Sequence, residues 1–284
     1  MNFIDGEFIE ISETLAIFNP FTGEKIADVA RSNAEDVKAA VESADKAFAD
    51  WANLAAWERE KILLKCADAL EQSSEKLTDV LIDESGSCLT KARYETGYTP
   101  RLLRAAAGEA TRLYGETMPN ERPTRMSFVV REPIGVVVCI VPFNAPLALL
   151  AKMVAFPLAA GNTVVVKPSE ETPLIALEFA KILTEAGLPA GVLNVVNGYG
   201  YEIGEALITD KRVRGVALTG STATGQIVGK QAIDGMKHLQ LELGGKNPLV
   251  ILDDFDAAKA AEIAAEGIFT HSGQICMANC RVLV

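Results

Sequence analysis

The sequence predicts an α/β protein built on a parallel β-sheet covered by helices. Three observations carry that reading. Apolar residues recur at helical spacing through most of the first 110 residues. Beyond Tyr114, short β-branched runs alternate with helix-length segments. The boundaries between them carry Pro, Gly or Asn, the residues that end regular structure.

Taken in order, Asn19-Pro20 and Thr22-Gly23 mark an early turn between short extended pieces. Val37, Val41, Ala44, Ala47 and Phe48 share one face of a helix over 34–56. Ile62, Leu63, Cys66, Ala69 and Leu70 do so over 58–73, and further helices are expected over 74–85 and 91–111. Residues 125–132 read as a strand. Val136 to Val141 is a continuous apolar run closed by Pro142, the pattern of a strand buried on both faces. The alternation continues with helix 146–159, strand 163–166, helix 172–185, strand 192–196, helix 201–207, strand 214–218 and helix 223–232. Leu239 to Leu243 is extended and broken by Gly244-Gly245, then strand 248–252 and helix 256–267 follow. Residues 281–284 look like a strand with its edge uncovered, which is the pattern expected of a truncated domain.

Composition narrows the function. A net charge of -11 from 27 basic and 38 acidic residues argues against a nucleic-acid binder. Five cysteines at irregular spacings fit a reduced interior better than a disulfide scaffold. Cys276 and Cys280 lack the partners of a zinc shell, since only His238 and His271 are available, so no metal is expected. The first residues form neither a signal nor a transit peptide, and the apolar run Ile134 to Pro142 is far too short to span a membrane. A cytoplasmic location is expected.

Several positions carry possible chemistry. Cys276 follows a Gly-containing turn, Phe269-Thr270-His271-Ser272-Gly273-Gln274-Ile275, after a helix. It reads either as an inert buried thiol or as a nucleophile whose pKa local N–H groups lower. Glu242 stands between Leu241 and Leu243 before two glycines. It is either the solvent face of an edge strand or a general base in a partly dry pocket. Asn144, in Pro142-Phe143-Asn144-Ala145-Pro146, either caps the next helix or donates to an oxyanion. Lys167 and Glu170 follow a strand and either form a solvated turn or grip ribose hydroxyls. In Leu218-Thr219-Gly220-Ser221-Thr222-Ala223-Thr224-Gly225, Ser221 and the N–H groups of a helix start suit a phosphate. The dinucleotide fingerprint G-x-G-x-x-G is absent, because after Gly198-Tyr199-Gly200 the next glycine is Gly204.

Together these segments resemble the aldehyde dehydrogenase superfamily. Leu241 to Asn247 looks like that family's glutamate motif, and Phe269 to Cys276 like its cysteine motif. Pro142 to Pro146 is similar to its Pro-Trp-Asn segment, with Phe143 for Trp. Lys167 to Glu170 and Leu218 to Thr222 resemble its two cofactor segments. The resemblance implies a Rossmann-like cofactor domain over 1–112 and 133–243, a bridging and oligomerisation arm over 113–132, and the start of an α/β catalytic domain over 244–284. It implies Cys276 as nucleophile, Glu242 as base and Asn144 as oxyanion donor. It places Lys167 and Glu170 on the adenosine ribose, Ser221 and Gly220 at the pyrophosphate, and Pro142 in the cofactor site. NAD is the implied cofactor, with NADP possible, an aldehyde the substrate, and a homodimer or homotetramer the assembly. CoA-acylating oxidation and a non-catalytic nucleotide-binding fragment are the alternatives.

Two departures stand out. Many members carry a lysine nine residues after the oxyanion asparagine, where this chain has Met153, with Lys152 beside it. Members also run well past the cysteine motif, so the rest of the catalytic domain is expected beyond Val284. The Phe143 to Leu147 and Gly273 to Met277 segments lean towards members that act on aromatic aldehydes.

Overall fold

The computed structural model describes all residues from Met1 to Val284. A hairpin of β1 (Asn2–Ile4) and β2 (Glu7–Ile9) is followed by a second of β3 (Thr14–Phe18) and β4 (Lys25–Ala30). Four helices come next: α1 (Ala34–Asn53), α2 (Ala56–Gln72), α3 (Ser74–Ser85) and α4 (Leu89–Ala110). Asn33 starts α1 with a capping box, accepting from the Glu35 and Asp36 N–H groups while Asp36 accepts from its own. A small antiparallel hairpin, β5 (Glu116–Met118) and β6 (Ser127–Val129), stands apart with exposed side chains.

The alternating part then runs β7 (Val136–Ile140), α5 (Pro146–Ala159), β8 (Thr163–Lys167), α6 (Leu174–Glu185), β9 (Leu193–Val195), α7 (Gly200–Thr209), β10 (Val213–Gly220), α8 (Thr222–Asp234) and β11 (His238–Leu243). β12 (Asn247–Val250), α9 (Ala257–Phe269) and β13 (Asn279–Leu283) complete the chain. No helix is long and apolar enough to cross a membrane.

The main sheet has the order β11-β10-β7-β8-β9-β1-β2. The five strands from β7 to β11 are parallel, and β1 joins β9 antiparallel. The chain winds outward from β7 to β9, then returns to the other side of β7 with β10. Strand order therefore reverses between β7 and β10, and a crevice outside the carboxyl ends of strands at such a point is where open α/β sheets bind ligands. Side-chain alternation along β7 serves both faces. Val136 and Val138 pack with α1, α7 and α8, while Val137 and Cys139 pack with α2, α4, α5 and α6.

Two buried glutamates fasten the helical layer to that crevice. Glu95 on α4 accepts from the N–H groups of Leu147 and Ala148 at 3.1 and 2.9 Å, closing the start of α5. Its other oxygen pairs with the Lys91 ammonium at 2.5 Å. Glu84 on α3 accepts from the Leu174 and Ile175 N–H groups at 2.8 Å each, closing the start of α6. Burial pushes the Glu84 carboxyl from its ordinary 4.5 up to about 8, against the pull of those two donors.

This raised value has a stability consequence. The folded chain holds a proton on Glu84 that the unfolded chain has already released, so the contribution is complete below about 4.5 and is lost as pH rises through about 8. The urea midpoint of the chain should therefore fall as pH rises from about 4.5 to about 8 and level off above that. Glu84→Gln should flatten that slope, and an unchanged slope in the variant would remove Glu84 from the account.

Most elements fall where the sequence places them. The strand expected over 125–132 is only Ser127–Val129, because residues on either side have no partner strand. That expected over 248–252 stops at Val250, where pairing with β13 ends. The β1–β2 hairpin that widens the sheet was not foreseen, since three-residue strands are too short to show alternation.

Candidate active site

Asn144 lies just past β7, at the reversal of strand order. It does not cap α5: the position before Pro146 is Ala145, which has no side-chain cap, and Glu95 does that work. The Asn144 amide instead donates to the backbone carbonyl of Gln274 at 2.7 Å. That bond ties the end of β7 to the loop bearing Cys276, and so joins parts of the chain that are 130 residues apart.

The Cys276 loop leaves α9 through a 3₁₀-type turn, Thr270–Gly273. His271, Ser272 and Gly273 all lie at positive φ, 48°, 55° and 77°. Two of the three are not glycine, and each such residue costs on the order of 1–3 kcal/mol, strain of the kind that collects at functional sites. His271 is held below its ordinary value by partial burial, with the Lys91 ammonium adding to the shift, so its imidazole is neutral near pH 7.

A β-turn follows, closed by the Ala278 N–H on the Ile275 carbonyl at 3.0 Å, with Cys276 and Met277 at its centre. The N–H groups of Cys276 and Met277 have no acceptor. Cys276 itself is exposed, whereas burial pushes Cys66 and Cys139 up to about 12 and keeps them as thiols. Burial, the ground of the inert-thiol alternative, thus holds for those two and not for Cys276.

Cys276 stands at the junction of two cavities. One, of about 520 Å³, also carries Glu242, Thr219 and Met153. The other, of about 730 Å³, also carries Asn144, Tyr94, Tyr98 and Phe269. Lys152 and Met277 border both. Glu242 sits opposite Thr219 in the β10–β11 register. Of its two readings, the exposed side chain is that of an edge-strand face and not of a partly dry pocket. β11 is the edge strand of the sheet.

The cofactor positions lie along the same carboxyl edge. Lys167, only 4% exposed, pairs with Glu170 at 2.8 Å, so the segment is no solvated turn. Gly200 lies against the Lys167 side chain, so that a Cβ there would be in ordinary contact with the ammonium at 3.8 Å. Gly220 ends β10, and Ser221 caps α8, accepting from the Thr224 N–H at 3.1 Å. The Thr222 and Ala223 N–H groups remain without acceptors. Pro142 follows β7 at the reversal point. A paired ammonium and carboxylate at one strand end, with free helix N–H groups two strands away, match the sugar and phosphate chemistry of a dinucleotide.

The aldehyde dehydrogenase family model matches residues 8–284. The chain belongs to the aldehyde dehydrogenase family. It is similar to phenylacetaldehyde dehydrogenase of Pseudomonas fluorescens, at 42% identity over 99% of this chain and 58% of that protein. Among solved structures it is similar to salicylaldehyde dehydrogenase from Pseudomonas putida G7 complexed with salicylaldehyde, at 37% identity and a TM-score of 0.96. That match covers 99% of this chain and 59% of the other. An NAD+ complex of aldehyde dehydrogenase from Bacillus cereus is 38% identical with a TM-score of 0.96, covering 99% of this chain and 58% of that one. This family member therefore spans just under three-fifths of the length of these relatives.

Sequence reasoning missed three site residues. Glu95 sits mid-helix, and nothing in its segment marks it as the cap of a distant helix. Thr219 and Asn247 fall inside quoted motifs, yet only the sheet register and the loop contacts give them neighbours.

Proposed function

We propose that the chain supplies the cofactor-binding and nucleophilic parts of an NAD(P)-dependent oxidation of an aldehyde to a carboxylic acid. The observation that carries this reading is the place of Cys276 between a cavity holding Glu242 and a cavity holding Asn144. Cys276, as thiolate, attacks the aldehyde carbon, and a thiohemiacetal forms on its sulfur. The Asn144 amide and the Cys276 N–H hold the oxyanion. Lys167, Glu170, Gly220, Ser221 and Pro142 hold the dinucleotide, which when bound supplies the acceptor for the departing hydride. The thioester left on Cys276 meets a water whose proton Glu242 takes, and the acid is released.

Tyr94, Tyr98 and Phe269 on the Asn144 side suit an aromatic aldehyde. Tyr94 and Tyr98, one helical turn apart, stack with ring centroids 5.6 Å apart. We read the β5–β6 hairpin as part of an oligomerisation arm, since both strands are exposed. Residues 1–112 and 133–243 are read as the cofactor domain, and 244–284 as the start of the catalytic one. Glu242 favours hydrolysis over acyl transfer to CoA. A second reading, nucleotide binding without turnover by residues 1–284 alone, is favoured by the exposure of both Cys276 and Glu242. An assay of aromatic and aliphatic aldehydes with NAD and NADP tests the first reading, and the absence of oxidation by the native polypeptide would refute it.

Cofactor preference follows from Glu170. Its carboxylate accepts from a ribose 2′-OH but repels a 2′-phosphate. The Lys167 ammonium is already committed to it at 2.8 Å. Calorimetry should give NAD a dissociation constant at least roughly tenfold below that of NADP, a difference of about 1.4 kcal/mol. Glu170→Gln should narrow the gap, and tighter binding of NADP by the parent would contradict the assignment.

A further inference from the structure

Three carbonyls of the nucleophile loop, at alternate residues, are held by two asparagine side chains. Asn144 takes the Gln274 carbonyl. The Asn247 amide takes the other two, donating to Cys276 at 2.6 Å and to Ala278 at 3.1 Å. An amide nitrogen has two hydrogens, so Asn247 spends its whole donor capacity on the turn that carries Cys276. Asn247 opens β12 opposite Asn279, and the ladder shifts register between it and Pro248.

The consequence is geometric. In a planar trans peptide the C=O and N–H point in opposite directions, and the chain has no cis bond. Drawing the Cys276 carbonyl towards Asn247 therefore turns the Met277 N–H to the opposite side. That N–H has no acceptor, and neither has the Cys276 N–H before it. The turn thus presents two adjacent free donors next to the thiol.

We propose that Asn247 is a positioning residue for the nucleophile: by fixing the Cys276 and Ala278 carbonyls it keeps these N–H donors directed at the reacting sulfur and oxyanion. The proposal rests on the reading of Cys276 as nucleophile. Asn247 touches no reacting atom and acts through the turn. Losing its amide frees the turn to rotate, and misplacement of a reacting group is costly.

The test is the rate of iodoacetamide alkylation, resolved by peptide mapping, across pH in the purified chain. Cys88, at the start of α4 and with no contact to Asn247, serves as the internal reference, and thermal melting monitors folding. The parent should alkylate Cys276 faster than Cys88. Asn247→Ala should reduce that advantage on the order of tenfold, leaving Cys88 unchanged. Asn247→Ser, which keeps one donor, should fall between them, and it carries the test if the alanine variant fails to fold. A parent in which Cys276 has no advantage would defeat the nucleophile reading. A parental advantage that both folded variants retain would overturn the role of Asn247 alone.

Discussion

Replacing Cys276 with alanine should abolish aldehyde oxidation in the native polypeptide, with a loss in kcat/KM of at least about a thousandfold. The expectation rests on chemistry that no neighbouring group can substitute. A thiolate both attacks a carbonyl and leaves a thioester reactive enough for water to cleave. Among the five cysteines, burial disqualifies Cys66 and Cys139. Cys88 and Cys280 are exposed, but Cys280 lies within β13 and its Sγ bonds the Ala278 carbonyl at 3.2 Å. Cys88 lines one cavity with Cys276 but sits at the start of α4 and does not border the cavity that holds Glu242. Alanine at 88 or 280 should leave kcat/KM within about twofold. Retained turnover in Cys276→Ala would end the assignment.

The second large effect belongs to Glu242. Its carboxylate shares a cavity with Cys276, and in the proposed mechanism it takes the proton of the attacking water. Glu242→Gln keeps the size and removes the base. Hydride transfer precedes deacylation, so the variant should still complete the first half of the reaction. Rapid mixing should show one equivalent of reduced cofactor formed in a burst, then steady turnover slowed about 10²–10⁴-fold, the usual worth of a general base. Normal steady turnover would remove Glu242 from the mechanism. A missing burst together with slow turnover would assign it to the first half instead.

The sheet and its helices were legible because each element announces itself within a few residues. Val136 to Val141 is apolar at every position, and only a strand covered on both faces asks for that. Pro142 and Gly187 mark ends just as directly. The candidate site was legible in part, as residue types at motif spacings: Cys276 after Gly273, Glu242 before Gly244, Asn144 between prolines. Its hidden part consists of long-range contacts. Glu95 caps a helix that begins 51 residues later, and Asn144 meets Gln274 across 130. No local pattern encodes such pairs, because a buried glutamate in α4 looks the same in sequence as a solvated one. The exposure of Glu242 was left open between two readings for the same reason: it depends on what covers β11, not on Leu241 and Leu243 beside it.

The central claim is that oxidation passes through an acyl group on Cys276, and that group can be weighed. The Glu242→Gln form of the native polypeptide, given an aromatic aldehyde and NAD and quenched in acid within the burst, should gain one acyl mass. Peptide mapping should place it on the segment holding Cys276, and the adduct should be lost to hydroxylamine, as a thioester is. An acyl group found on Cys88 or Cys280, or a full burst with no adduct on any cysteine, would contradict the account.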